Sequence, residues 1–179
     1  MFVDPVEMFD RAAGVAAGRA RAVSSEQLGL ATPCSEWDVT ALLEHMAGGP
    51  AYLLAALGAG PGGPAWPEQA AIDACVTLLR QPGALARRCQ SPAGFEWSVA
   101  EAAAGTAMDQ LVHTWDLAVA VGGDRNLDPA VTAAVVDLFL PDMPEVGRQA
   151  GFVGPAVPVG QGASAQDVLL GAMGRDPGR

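Results

Sequence analysis

"MDQLVHTWDLAVAVGG", residues 108–123, is the stretch on which the reading of this chain turns. Leu111, Val112, Trp115, Leu117 and Val119 make it largely apolar, and Gly122 and Gly123 supply a stop, so it reads as the C-terminal part of a helix. Upstream, Ser98 and Glu101 have the Ser-x-x-Glu spacing of a capping box, which should start that helix. With His113 as the zero of a helical wheel, Thr106 falls at about +20°, Asp109 at about −40° and Asp116 at about −60°. Two carboxylates and an imidazole thus share one narrow face of a helix whose flanks have to be buried. Charges near a core are costly unless paired, and a bound cation is one way to pair them.

Outward from this helix the same signals recur. Asp4 as N-cap and Pro5 at the first helical position open a first helix that should run to about Val23, with Val6, Phe9 and Val15 among its apolar residues. Asp38 caps a second helix carrying Leu42, Leu43, His45 and Met46, which Pro50 should kink or divide before "AYLLAAL" resumes. "GAGPGGPAWP", residues 58–67, is a connector; its glycines lack the preceding strand and the Lys-Ser/Thr pair of a phosphate loop. A third helix should cover about Pro67 to Arg80 and continue in broken form toward Arg88, before an irregular or briefly extended "CQSPAGFEW". Asp128 and Pro129 open a fifth helix that Pro141 ends, and an extended loop over 152–162 precedes a short helix, "AQDVLLGAM". Four substantial helices plus extras, with almost no strand pattern, predict an all-α helical bundle formed as a single domain over residues 1–179.

Composition narrows the function. A net charge of −10, with ten basic residues that are all arginine and form no stripe, argues against nucleic acid as a partner. No apolar run approaches the roughly 18 residues of a membrane span, and the N-terminus has acidic residues where a signal peptide is basic. The expectation is a cytoplasmic protein with no membrane partner. Cys34, Cys75 and Cys89 are odd in number and contain no Cys-x-x-Cys pair, so reduced thiols are expected.

The second histidine, His45, has Ala41, Leu42, Gly48, Gly49 and Tyr52 around it on its own wheel, and such small residues leave a hollow. If the two helices face each other, His45, Asp109 and His113 form an N, N, O ligand set, with Asp109 and His113 one turn apart on one rigid element. Three protein ligands would leave a position open for water or substrate, as in a catalytic zinc site. Spacing alone leaves the plainer alternative standing: core histidines with satisfied hydrogen bonds, and Asp109 paired with an arginine of the first helix.

Other residues carry two readings each. Cys34, before a helix, could be a nucleophile, but a small loop hydrophobe is expected. Trp37 and Trp115 could wall a pocket, but core positions are expected. Tyr52 could bond a substrate, but a backbone carbonyl is the expected partner. Asp116 could orient a ligand histidine or bridge to an arginine and fix a neighbouring loop; both stay open. Ser35 and Ser98 read as loop and cap residues.

"TPCSEWDVTALLEHMAGG", "LVHTWDLAVAVG", "LDP" and the terminal "GPAVPVGQGASAQDVLLGAMGRDPG", in this order, resemble small metal-binding proteins related to the N-terminal domain of mycothiol-dependent maleylpyruvate isomerase, in the DinB-like superfamily. The resemblance covers the chain from about residue 5 to its end. It implies a DinB-like four-helix bundle holding a divalent metal, zinc or nickel, through a histidine of the second helix and a carboxylate/histidine pair of a later one. On this sequence those positions are His45, Asp109 and His113, with Asp where the isomerase has Glu. The resemblance further implies a thiol S-transferase or isomerase acting on a small electrophile, with a mycothiol-like thiol as cosubstrate; a non-catalytic metal or small-ligand binding module is the alternative. The chain is too short to contain the isomerase's second domain, which leaves maleylpyruvate itself aside. Bundles of this kind often pair through a helix face, so a homodimer is a further expectation.

Overall fold

The structure, a computed structural model, describes residues 3–60 and 65–178. It is all-α. Among the described residues the helices are α1 (Pro5–Arg21), α2 (Val39–Ala56), α3 (Gln69–Leu79), α4 (Val99–Val121), α5 (Pro129–Phe139), α6 (Asp142–Gln149) and α7 (Ala165–Ala172). The one sheet among them pairs β1 (Arg88–Gln90) antiparallel with β2 (Glu96–Ser98). The tip of the expected 58–67 connector, residues 61–64, lies outside the described residues. Among the described residues no helix is long and apolar enough to cross a membrane.

Local chemistry sets the boundaries. The Asp4 carboxylate accepts the N–H groups of Val6 and Glu7, and the Asp38 carboxylate accepts that of Ala41. Ser98 and Glu101 close the reciprocal capping box at the start of α4, and Gly122, at φ 70°, ends it in the left-handed conformation. Asp128 caps α5 and also receives a forked contact from Arg11 at 2.6–2.9 Å, which ties the start of α5 to α1.

The central element is α4. From Ala102 to Ala118 every residue except Asp109 is buried, because α1, α2 and α5 surround the helix. Phe9 and Ala13 of α1, Leu53 of α2 and Ile72 of α3 share one apolar cluster with Ala102 and Ala103. Trp115, Val131, Val135, Leu169 and Leu170 form another, which seats α5 and α7 on the same helix.

Several expectations need correction. Pro50 does not divide α2, which runs unbroken through it. A proline lacks the N–H that would bond the carbonyl four residues back, that of Met46. Here the buried Gln110 of α4 donates Nε2–H to the Met46 carbonyl at 2.8 Å, so the orphaned acceptor is satisfied from the neighbouring helix. Gly49 permits that approach: a Cβ on it would stand 2.8 Å from Gln110 Nε2 and 2.9 Å from Thr106 Cγ2. Of the apolar residues named in α1, Val6 and Phe9 are buried and Val15 is exposed. The stretch expected to be irregular or briefly extended is indeed briefly extended, as a short hairpin whose Trp97 donates to Tyr52 Oη at 2.7 Å. The helix α6, amphipathic but short and rich in Pro, Gly and charge, was not foreseen.

Candidate metal centre

Burial of Leu42 and Met46 of α2 with Leu117 of α4 fixes which faces of the two helices meet, and Gly49 permits their close approach. Together these place His45 opposite Asp109 and His113. His45 Nε2 lies 3.2 Å from Asp109 Oδ1, and His113 Nε2 lies 3.4 Å from the same oxygen. The imidazole centroids are 4.6 Å apart, and the three ligand atoms lie within 4.8 Å of one another. Side-chain exposures of 39 % for His45, 36 % for Asp109 and 9 % for His113 show that the cluster opens to solvent at His45 and Asp109. The second histidine is therefore not a core residue, contrary to what its apolar sequence setting suggests. Trp37, half-buried, lays its ring against both imidazoles, with centroids 4.7 Å from His45 and 5.7 Å from His113.

Behind His113 lies a second layer. His113 Nδ1 is 3.0 Å from Oδ2 of Asp116, which is fully buried. Asp116 also accepts from Arg175, Nε to Oδ1 at 3.2 Å and Nη2 to Oδ2 at 2.8 Å. An ionised carboxylate only accepts, so His113 donates Nδ1–H and the ring's orientation is fixed. Asp116 thus fills both roles that the sequence left open. Cys34 accepts from Arg175 Nη2 at 3.1 Å and donates to Asp116 Oδ2 at 3.4 Å. It belongs to this polar network and is not the loop hydrophobe expected of it.

The electrostatics follow from the packing. Burial pushes the Asp109 carboxyl up, but the charge of His113 and hydrogen bonds from both histidines outweigh it and hold Asp109 below the usual carboxylate range. Burial likewise pushes His113 down, and the charge of Asp109 together with bonds to Asp109 and Asp116 raises it well above the ordinary histidine value. Two carboxylates thus flank His113, and both favour its protonated form. Asp116 is held down against its own burial by His113 and Arg175.

With bonds of about 2.0–2.1 Å, a tetrahedral ion has ligand atoms about 3.3 Å apart, which matches the two nitrogen-to-oxygen spacings. Cys34, His113 and Asp116 also cluster within the same limit. A cation there would face the Arg175 guanidinium and compete with bonds that Asp116 already accepts, so this second group does not fit. The His45, Asp109 and His113 group does.

The remaining candidates fall outside the centre. Tyr52 donates to the Gln90 carbonyl at 2.8 Å, as expected. Trp115 is core, whereas its counterpart Trp37 is not. Ser98 is a cap and Ser35 is exposed. All three cysteines are free, and burial pushes the Cys75 thiol up to about 12. Surface depressions of about 270 and 590 Å³ lie around Gln81 and Gly83 and include no histidine or cysteine. The residue that sequence reasoning missed is Arg175. Its only signal was the Gly-Arg-Asp-Pro block, with nothing to say that its side chain reaches α4.

No family model matches the chain, and no solved structure matches it. It is similar to "Uncharacterized protein Rv0738" of Mycobacterium tuberculosis (strain ATCC 25618 / H37Rv), 32% identical over 162 residues that cover 87% of this chain and 86% of that protein. "Uncharacterized protein MT0763" of Mycobacterium tuberculosis (strain CDC 1551 / Oshkosh) matches with the same identity and coverage. With nearly the full length of each chain aligned, this protein belongs to the same family as these mycobacterial proteins.

Proposed function

We propose that this protein is a DinB-like helical bundle that binds a divalent metal, zinc or nickel, through His45, Asp109 and His113, and uses it as a thiol S-transferase or isomerase on a small electrophile. The observation that carries the reading is the convergence of both Nε2 atoms on Asp109 Oδ1, at 3.2 and 3.4 Å, at an edge open to solvent. In the all-round burial of α4, Asp109 alone is kept accessible between Ala102 and Ala118.

Each residue has a defined task. Asp116 holds His113 with Nδ1–H turned inward, so that Nε2 faces the open edge. Asp109 supplies the negative charge that offsets a cation, and its short side chain holds the oxygen close to α4. Trp37 covers the imidazoles on one side and excludes water there. The cation, when bound, favours the deprotonated form of a thiol or water and so yields a nucleophile near neutral pH. That chemistry suits a chain with no lysine and no third histidine to act as a separate base. A mycothiol-like thiol is the cosubstrate this reading names.

The test begins with metal content by plasma mass spectrometry on protein purified without chelator or affinity tag, beside His45→Ala and His113→Ala. Near-stoichiometric zinc or nickel, lost in both variants, is the expected result. No metal, with failed reloading, would overturn the reading. Thiol-dependent turnover of a small electrophile by the loaded protein supports the enzyme; tight metal binding with no turnover across a panel of electrophiles favours the non-catalytic binding module.

A further inference from the structure

The chain beyond α7 is brought back to the bundle by a specific turn. Met173 caps α7, Gly174 follows at φ 78°, and the N–H of Arg175 bonds the Leu170 carbonyl at 2.8 Å while that of Gly174 bonds Gly171 at 3.1 Å. This is the Schellman pattern, in which the residue after the left-handed glycine reaches back to the carbonyl three positions from the helix end. A side chain at Gly174 would meet the Pro155 carbonyl at 3.1 Å, so both conformation and space call for glycine. Leu169 and Leu170, fully buried, anchor the helix. The turn therefore aims Arg175 inward, where its side chain is only 12 % exposed.

The guanidinium is used on every side. Nη1 donates to its own segment at the Met173 carbonyl, 2.7 Å; Nε and Nη2 span both oxygens of Asp116; Nη2 also meets Cys34 Sγ. One side chain thus joins the C-terminal segment, the C-terminal part of α4 and the loop before α2, the loop that also carries Trp37. Asp116 in turn holds His113 through Nδ1.

We propose that Arg175 is a positioning residue for the metal centre: it fixes Asp116, and through Asp116 the His113 ring, so that Nε2 stays aimed at the ion. The inference rests on the metal reading above. Asp116 is fully buried and its two oxygens are shared among His113, Arg175 and Cys34. Without Arg175 it keeps one strong donor and no fixed orientation, and His113 loses the constraint that keeps Nε2 pointing outward. Partners of this kind, one bond removed from a metal, typically change affinity by roughly 10- to 100-fold.

The experiment is zinc affinity by competition with a chromophoric chelator, measured on full-length wild type, Arg175→Met, Asp116→Asn and the double variant, each shown folded by circular dichroism. The expected result is a loss of about tenfold or more in each single variant, and no further loss in the double variant, because the arginine acts through the carboxylate. Arg175→Lys retains the charge but not the fork, and should fall between wild type and Arg175→Met; it replaces Arg175→Met should that variant fail to fold. Undiminished affinity in the arginine variants, or losses that add in the double variant, would overturn the positioning role while leaving the metal site standing. Wild type that takes up no zinc would overturn both.

Discussion

His113 is the residue on which the centre's behaviour with pH depends. With Asp116 beside Nδ1 and Asp109 beside Nε2, both carboxylates favour the protonated ring, and an ion bound at Nε2 has to displace that proton. Zinc affinity should therefore rise with pH for as long as His113 holds that proton, which its raised pKa extends above the ordinary value of 6.5. Chelator competition at a series of pH values checks this, and a flat profile would contradict the raised His113 pKa. The same ion pair has a signed effect on the metal-free fold. The His113 pKa is raised on folding, so its contribution is full below 6.5 and is lost as pH rises through the folded value. The Asp109 pKa is lowered, so its contribution is present above 3.8 and declines as pH falls below it. Metal-free protein should accordingly lose stability to denaturant as pH rises on the alkaline side of neutrality, His113→Gln should lack this contribution to the slope, and added zinc should remove it.

At the scale of the element, the α2 and α4 pair is the joint that positions His45. Its rule-breaking feature is Pro50, tolerated because Gln110 satisfies the Met46 carbonyl. Gln110→Leu should cost about 1–3 kcal/mol, the penalty for leaving a buried acceptor without a donor. Gly49→Ala forces a Cβ into Gln110 and the branched Thr106 side chain, and should cost about 1–3 kcal/mol by overpacking. Urea denaturation measures both. The Gly49 variant should also weaken zinc binding, since it moves His45 away from Asp109, whereas a surface change such as Val15→Ala should alter neither quantity by more than about 0.5 kcal/mol.

Across the whole molecule, segments distant in sequence close on α4. Truncation before α7 would remove Leu169, Leu170 and Arg175 together, exposing the apolar surface of α5 and α4 that the two leucines cover. Loss of two fully buried leucines costs several kcal/mol in comparable cores, at about 2–5 kcal/mol for each Leu→Ala, so the truncated chain should be grossly destabilised or unfolded by circular dichroism. Arg11→Ala is milder. It unties α1 from the α5 cap at Asp128 but leaves the cap itself, and should cost about 1 kcal/mol in thermal or urea melts. A net charge of −10 adds self-repulsion that salt screens, which should make these losses easier to see at low ionic strength.

The sequence by itself determined the all-α class, the caps at Asp4, Asp38, Ser98 and Asp128, the stop at Gly122, and the sharing of one α4 face by Asp109, His113 and Asp116. These are legible because capping and helical periodicity act over three or four residues, within one element. The candidate ligands could be named, but their convergence could not be read from the spacing. Only the tertiary structure set His45 against Asp109, 64 residues away, left His45 exposed in an apolar-looking segment, and kept α2 whole across Pro50. It alone placed Arg175 on Asp116, 59 residues distant, and on Cys34, 141 residues distant. Such contacts have no local signature, because the partners are chosen by which buried polar groups remain unsatisfied once every helix has packed.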